Sequence, residues 1–305
     1  MTPTSYTYIG KGKVGLQDRI ALTGHRYIGG TSSLTLSIES EEKTIPNFET
    51  PGGGNLNKIT RITKMSGELV LQELQAKNLA LALRALVSEE TSGSVAAEAH
   101  TAFNGAIIPL DYLLDKTAAV TPVIAVSAGH VTTTAYSVGE TILATGIVYQ
   151  CTTAGTSGGS APTFNTTLGS TTTDGTVVWT SRGAVTMVDG TDYQAGNSAI
   201  EIPNSATRFA LGLPITIAYT KNAAYLVQLL TDSQRDYELV FDGLNEADSG
   251  IAAPSRLYKV RFDPTSGLSL KADDFASLTL AFEVLPDTTK VGTAISQYGN
   301  FRIAK

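Results

Sequence analysis

The residues with chemical potential in this chain are few and poorly matched. Gly155-Thr156-Ser157-Gly158-Gly159 fits G-x-S-x-G, the turn that presents a nucleophilic serine in α/β-hydrolases. There the acid and the histidine follow the serine, and a helix starts directly after it. Here His25, His100 and His130 all precede Ser157, and Ala161-Pro162 stands where the helix should run. The histidines are far apart and none joins the lone Cys151 at metal-ligand spacing, so no zinc motif is present. Cys151 is expected to be a small buried hydrophobe. The paired carboxylates Glu41-Glu42 and Asp273-Asp274 are adjacent, and neighbours on a strand point to opposite faces, which does not make an acid/base pair. Gly10-x-Gly12-x-x-Gly15 has the dinucleotide spacing without the βαβ continuation, and Gly52-Gly53-Gly54 lacks the Lys-Ser/Thr of a phosphate loop. The expectation is a protein that is not an enzyme and carries no cofactor or metal.

The elements that must position these residues are mostly strands. In 305 residues, apolar content is 42% and charged content 16%, enough for a buried core, while the 29 glycines and many Thr, Val and Ile favour strands and turns. The net charge of -6, with no basic block, disfavours a binder that neutralises nucleic-acid phosphates. No signal peptide and no membrane insertion are expected, because the N-terminus lacks a basic region and the longest apolar run, Ala118–Ala128, is broken by Pro122. That describes a soluble chain made in a cytoplasm.

Period-two alternation marks strands at Leu34–Ile38, Ile215–Tyr219, Leu239–Phe241, Tyr258–Phe262 and Leu278–Val284, the last ended by Pro286-Asp287. Tyr6 to Gly15 reads as a short strand and a glycine turn. Leu79, Leu83, Leu86 and Val87 fall at helical spacing and predict one helix over about Gln75–Ser88. Thr91–Asn104 reads as a loop. So does the polar stretch from Glu39 to Leu56, whose length points to an extended arm reaching a partner. The arm's candidate contact residues are Glu41, Glu42, Lys43, Phe48, Asn55 and Lys58.

Composition changes sharply in mid-chain. Between Pro122 and Ser181 only Glu140 and Asp174 are charged, and the rest is rich in Thr, Ser, Gly, Ala and Val. Hairpins are predicted at Thr145-Gly146 and Asp174-Gly175, with a flexible loop over Thr152–Ser160. The expected organisation is residues 1–125 and 185–305 as one split domain, with residues 126–184 an inserted small β module removable without loss of the host. The expected fold is mainly β: two packed antiparallel sheets in a sandwich or barrel, one flanking helix and the all-β insert, with Thr288–Lys305 as a C-terminal arm.

The succession of the Gly10–Gly15 turn, the Gly29–Ile38 strand, the polar Glu39–Ile59 stretch and the helix holding Asn78-Leu79-Ala80-Leu81-Ala82-Leu83 resembles the major tail tube proteins of long, non-contractile bacteriophage tails. Asp192-Tyr193, Ala199–Ile202, Ile215–Thr220 and the closing Asp273-Asp274-Phe275 to Asp287 stretch extend the resemblance over both flanks. It implies hexameric rings that share an inner β-barrel and stack into a hollow tube in the virion tail, through which DNA passes without specific binding. The arm would then touch the adjacent ring, and other tail proteins (tape measure, distal tail and terminator proteins) would be partners. The insert, through Tyr136–Glu140, Val148–Cys151 and Asp174–Trp179, resembles small β modules of phage structural proteins and chitinase-type carbohydrate-binding modules. That implies Tyr136 and Trp179 as possible sugar contacts and a glycan-binding adhesin as the alternative function.

Overall fold

The computed structural model describes residues 7–49, 51–271 and 273–304. The chain is mainly β, and among the described residues it holds one α-helix; its sheets are several and almost wholly antiparallel, and none closes into a barrel. It divides into two compact units, residues 1–88 with 225–305 and residues 89–224.

In the first unit the chain forms β1 (Gly10–Asp18), β2 (Arg26–Tyr27), β3 (Thr31–Pro46), β4 (Asn55–Leu71) and α1 (Ala76–Leu83). After the second unit it returns as β5 (Asp236–Asn245), β6 (Ser255–Phe262), β7 (Leu278–Val284) and β8 (Gly299–Phe301). One open sheet takes the order β2-β1-β5-β6-β7-β4-β3, with β8 added beside β6. Leu239, Val260, Leu278, Leu280 and Phe282 face the core as their period-two spacing predicts, buried together with Leu69, Leu71, Val14, Leu16 and Ile28, whereas Leu36 and Ile38 of the Leu34–Ile38 strand are exposed. Each such side chain contributes about 1.5–3 kcal/mol relative to exposure.

Several local expectations change. Tyr6 lies outside the described residues, and the glycines after it are not a turn but part of β1, paired with β5 from Gly10↔Asn245 to Asp18↔Tyr237. A Cβ at Gly12 would stand 2.2 Å from the Asp242 carbonyl oxygen, so close strand packing accounts for that glycine. The helix is shorter than its apolar spacing suggests. It ends at Arg84, and Leu86 and Val87 belong to a strand, Leu86–Glu90. Buried Asn78 ties α1 to its surroundings: Nδ2 donates to the carbonyls of Ile28 at 2.7 Å and Glu73 at 3.2 Å, and Oδ1 accepts from Arg26 at 2.9 Å. The expected C-terminal arm folds back in part, with β8 pairing β6 at Ser255↔Phe301 to Leu257↔Gly299.

The second unit begins where a loop was expected. Gly93–Ala102 is a ten-residue strand paired with Leu213–Lys221, which Thr121–Ile124 flanks on its other side. Within residues 126–184 both predicted hairpins form: Thr141–Ala144 with Ile147–Thr153, and Thr171–Asp174 with Val177–Ala184. Thr145 (φ 53°) and Gly146 (φ 78°) supply the left-handed pair of a two-residue turn. Ile142, Tyr149, Cys151, Val177 and Trp179 form a small core of their own.

The observed division nevertheless falls at 88/89 and 224/225, outside the composition boundaries at 125/126 and 184/185. The reason lies in what residues 126–184 bury. Val148 sits in the same core as Ile108, Ile124, Ile200, Phe209 and Leu213. Gln150 Nε2 donates to the Gly212 carbonyl at 2.8 Å, and Arg182 Nε donates to Gln150 Oε1 at 3.0 Å. Arg208 donates to the Ala184 carbonyl and, at 2.7 Å, to Asp192. Removing residues 127–182 would take Val148 out of this core and leave the Gly212 carbonyl without its Gln150 donor, and an unpaired buried polar group costs about 1–3 kcal/mol. By this division residues 126–184 fall within the second unit.

One ion pair closes the first unit. Arg19, just past β1, donates to Asp287 Oδ2 at 2.9 Å and to the Tyr258 carbonyl, fastening the turn after β7 to β6. The Arg19 hydrogen bond outweighs burial and, with Thr289, lowers the Asp287 carboxyl from the ordinary 3.8 to about 2. A depressed carboxyl stabilises the fold above its unfolded pKa, and this contribution is lost as pH falls from 3.8 through about 2. Asp287→Asn is expected to cost about 1–2 kcal/mol near neutral pH and to flatten that part of the acid limb, read by urea denaturation across pH.

Candidate assembly arm

The stretch expected to be a loop is a hairpin. β3 and β4 pair from Thr31↔Leu71 to Pro46↔Asn55, with register shifts between Thr31 and Ser33, Glu39 and Ser40, and Ile45 and Pro46. Pro46 ends one strand, and Asn55 opens the other. Between them the Asn47 N–H donates to the Gly54 carbonyl at 2.8 Å, and Gly52, Gly53 and Gly54 all take positive φ (119°, 72° and 104°). Such angles are costly for other residues, which is why the tip holds three glycines.

Only the base of the hairpin is anchored. β7 pairs β4 from Leu278↔Leu71 to Glu283↔Ser66 and no further. Beyond Ser66 the ribbon has no strand on either side among the described residues, and Thr35–Pro46 and Pro51–Thr63 are exposed. At about 3.3 Å per residue the free part extends roughly 30 Å.

The register sorts the candidate contact residues onto two faces. Glu42, Thr44, Lys58, Thr60 and Ile62 share one, where Lys58 Nζ lies 2.7 Å from Glu42. Glu41, Lys43, Ile45, Ile59 and Arg61 share the other, with Lys43 3.9 Å from Glu41. Phe48 stands at the tip, 88% exposed. The candidate contact residues leave out the isoleucines: Ile38, Ile45, Ile59 and Ile62 are all more than half exposed. Their signal was the Ile/Thr-rich composition of Lys43–Ile45 and Lys58–Ile62, typical of strands. At the base, Leu36, Ile38, Ile62 and Met65 form one wall of a groove of about 530 Å³, opposite Leu257, Val284 and Phe301.

The other candidate residues are structural. Trp179 is 0% exposed, packed edge-to-face on Tyr136 at 4.8 Å: it is a core residue, and the possible sugar contact implied by the resemblance is corrected, because no face is open to a ligand. Tyr136 is half-buried against it, with its hydroxyl accepting from the Val131 N–H at 2.9 Å and donating to the Val131 carbonyl at 3.3 Å. Cys151 is buried, and burial pushes its thiol pKa up, away from the reactive thiolate.

The fold does bring Ser157, His130 and Asp174 near one another, though not as a catalytic triad. Ser157 Oγ donates to the Val131 carbonyl at 2.8 Å and accepts from the Thr134 N–H at 2.9 Å, so it stitches the 152–160 segment rather than facing a base. Asp174 is the hub: Oδ2 meets His130 Nε2 at 2.7 Å and accepts from Trp179 Nε1 at 3.2 Å, while Oδ1 accepts from the Gly158 N–H at 2.8 Å. Burial alone would raise this carboxyl, yet these donors outweigh it and hold it below the ordinary range. Among the described residues no group of three or more His, Cys, Asp or Glu is arranged to hold a metal, and no helix is long and apolar enough to cross a membrane.

Asp174→Ala leaves His130 and the Trp179 N–H without their buried acceptor, and should destabilise the second unit by roughly 3 kcal/mol by chemical denaturation, with Trp179 fluorescence as reporter. A comparison with curated proteins gives no match. A family model matches residues 7–156 and 166–302, running through both units and leaving out only the loop from Ser157 to Asn165 between its two parts. The chain therefore belongs to the family described as Protein of unknown function UCP028589.

Proposed function

We propose that the chain is a self-assembling structural subunit, the tube protein of a long, non-contractile bacteriophage tail. The observation that carries this reading is β3, a 16-residue strand at the end of an open sheet whose outer edge has no partner strand among the described residues. A long exposed edge invites another strand, and soluble monomers normally cover, shorten or bend such edges. Here the free edge continues into a projecting arm that carries exposed isoleucines and Phe48. Repeating one heterologous contact closes a ring, and closure removes the edges. Six subunits per ring, rings stacked into a DNA-conducting tube and residence in the virion tail follow from the family resemblance. The net charge of -6 suits a lumen that does not hold phosphates. The arm is the inter-ring contact in this reading, with tape measure, distal tail and terminator proteins as partners at the ends of the tube.

Purified full-length protein, concentrated and viewed by negative-stain electron microscopy, should form stacked rings. A species that stays monomeric in sedimentation at every concentration would overturn the reading. Phe48→Ser combined with Ile45→Lys should leave the monomer's stability within about 0.5 kcal/mol, since both side chains are exposed, while shortening or abolishing the tubes. Tubes of unchanged length in that variant would rule out the arm as the stacking contact.

A further inference from the structure

A cleft of about 330 Å³ in the first unit lies between α1, the segment after it and the turn leading into β5. Its charge runs against that of the chain: Arg26, Lys77, Arg84 and Arg235 line it, against Asp18 and Asp232. Both carboxylates are already engaged. Arg235 lies 3.0 Å from Asp18 and 2.8 Å from Asp232. Asp18 also accepts from the N–H groups of Ile20 at 2.7 Å and Ala21 at 3.2 Å. Burial favours protonation of Asp18, but these donors outweigh it and keep the carboxyl below its ordinary range.

Three cations are left over. The Arg26 guanidinium meets only the neutral Asn78 amide oxygen on this side, and burial draws its pKa down. Lys77 and Arg84 pair with no carboxylate among the described residues, and Arg84 Nε is buried without a hydrogen-bond partner. A buried donor left unmade is unfavourable, so its position needs a reason.

Arg84 is also held in a backbone conformation that suits another residue. It ends α1 with φ 47° and ψ 54°, the left-handed position that glycine or asparagine ordinarily fills. Its N–H donates to the Ala80 carbonyl, and its own carbonyl accepts from the Asp232 N–H at 3.0 Å, so the geometry is enforced from both sides. Strain at a non-glycine residue, together with an unpaired buried guanidinium nitrogen, points to a role for the side chain itself. Leu81, Tyr237 and Phe262 supply an apolar wall. Burial, with Asp18 close by, pushes the Tyr237 phenol pKa up, which keeps it neutral.

We propose that this cleft binds a small oxyanion, a phosphate or carboxylate group, gripped by Arg84, Arg26 and Lys77. The planar guanidinium fork matches two oxygens of either group, and the volume suits a ligand at the small end of the usual range of about 300–1,000 Å³. This does not rest on the assembly reading.

The test uses the full chain and three sodium salts at matched ionic strength: inorganic phosphate, succinate and chloride. Phosphate or succinate should raise the melting temperature saturably above chloride, and whichever acts identifies the group. Arg84→Gln should weaken the half-saturating concentration about tenfold or more. Arg84→Gly separates binding from folding, because glycine relieves the left-handed strain: its melting temperature in chloride should equal or exceed that of the parent while the anion response disappears. Lys43→Gln, on the arm, should keep the full response. Equal melting temperatures in all three salts, or an undiminished response in Arg84→Gly, would overturn the site.

Discussion

Backbone amides and carbonyls on the outer side of β3 govern how the first unit can exist in solution. Each group on a sheet edge must find a partner or water, and water is the weaker organiser of a straight strand. In this unit the sheet stays open, with β2, only two residues long, at one edge and β3, 16 residues long, at the other. The short edge gives little template for pairing. The long edge gives a complete one, and its length exceeds what the core requires, since β7 supports β4 only as far as Ser66.

The second unit meets a different constraint. Its small core around Tyr149 and Trp179 is slight, and buried polar groups fix the geometry around it. Asp174 accepts three donors, and the Arg182–Gln150–Gly212 chain carries hydrogen bonding across the hairpins. Fully paired networks of this kind rigidify a fold more than they stabilise it, because the desolvation of each charge offsets most of the attraction. The few charges of residues 122–181 thus carry structural weight: Asp174, one of the two acidic residues there, is buried at the hub.

What could be read in the sequence follows from how local the cause is. Leu278–Val284 alternates because one face meets a core and the other does not, and that pattern survives without knowledge of neighbours. Both faces of the arm meet solvent, so Glu39–Leu56 shows no such alternation; with two prolines and three glycines it reads as a loop. Gly93–Ala102 carries four alanines with Gly, Ser, Glu and His against one Val and one Thr, a weak advertisement for a strand, and becomes one through its pairing with Leu213–Lys221. The composition boundary at Pro122 was real but marked a change of chemistry, not of folding unit, since the partners of Val148 and Gln150 lie far along the chain. His130 and Asp174 sit 44 residues apart, and nothing short of the fold joins them.

The charges on the arm fit its exposure. Surface ion pairs such as Glu42–Lys58 contribute about 0–1 kcal/mol, too little to hold a ribbon of two strands, which is at best marginal in water. They do place alternating charge beside Ile45, Ile59 and Ile62, and a charged edge with a register shift near Glu39 resists indiscriminate pairing. A correct partner must therefore answer both features: it offers apolar contact to the isoleucines and opposite charge to the Glu/Lys rows. In the proposed assembly a second copy would offer both, in the groove of Leu257, Val284 and Phe301 and in its own mixed-charge ribbon. In that proposal a ribbon that is marginal alone gains stability when a partner covers it, which would tie the folding of this element to assembly.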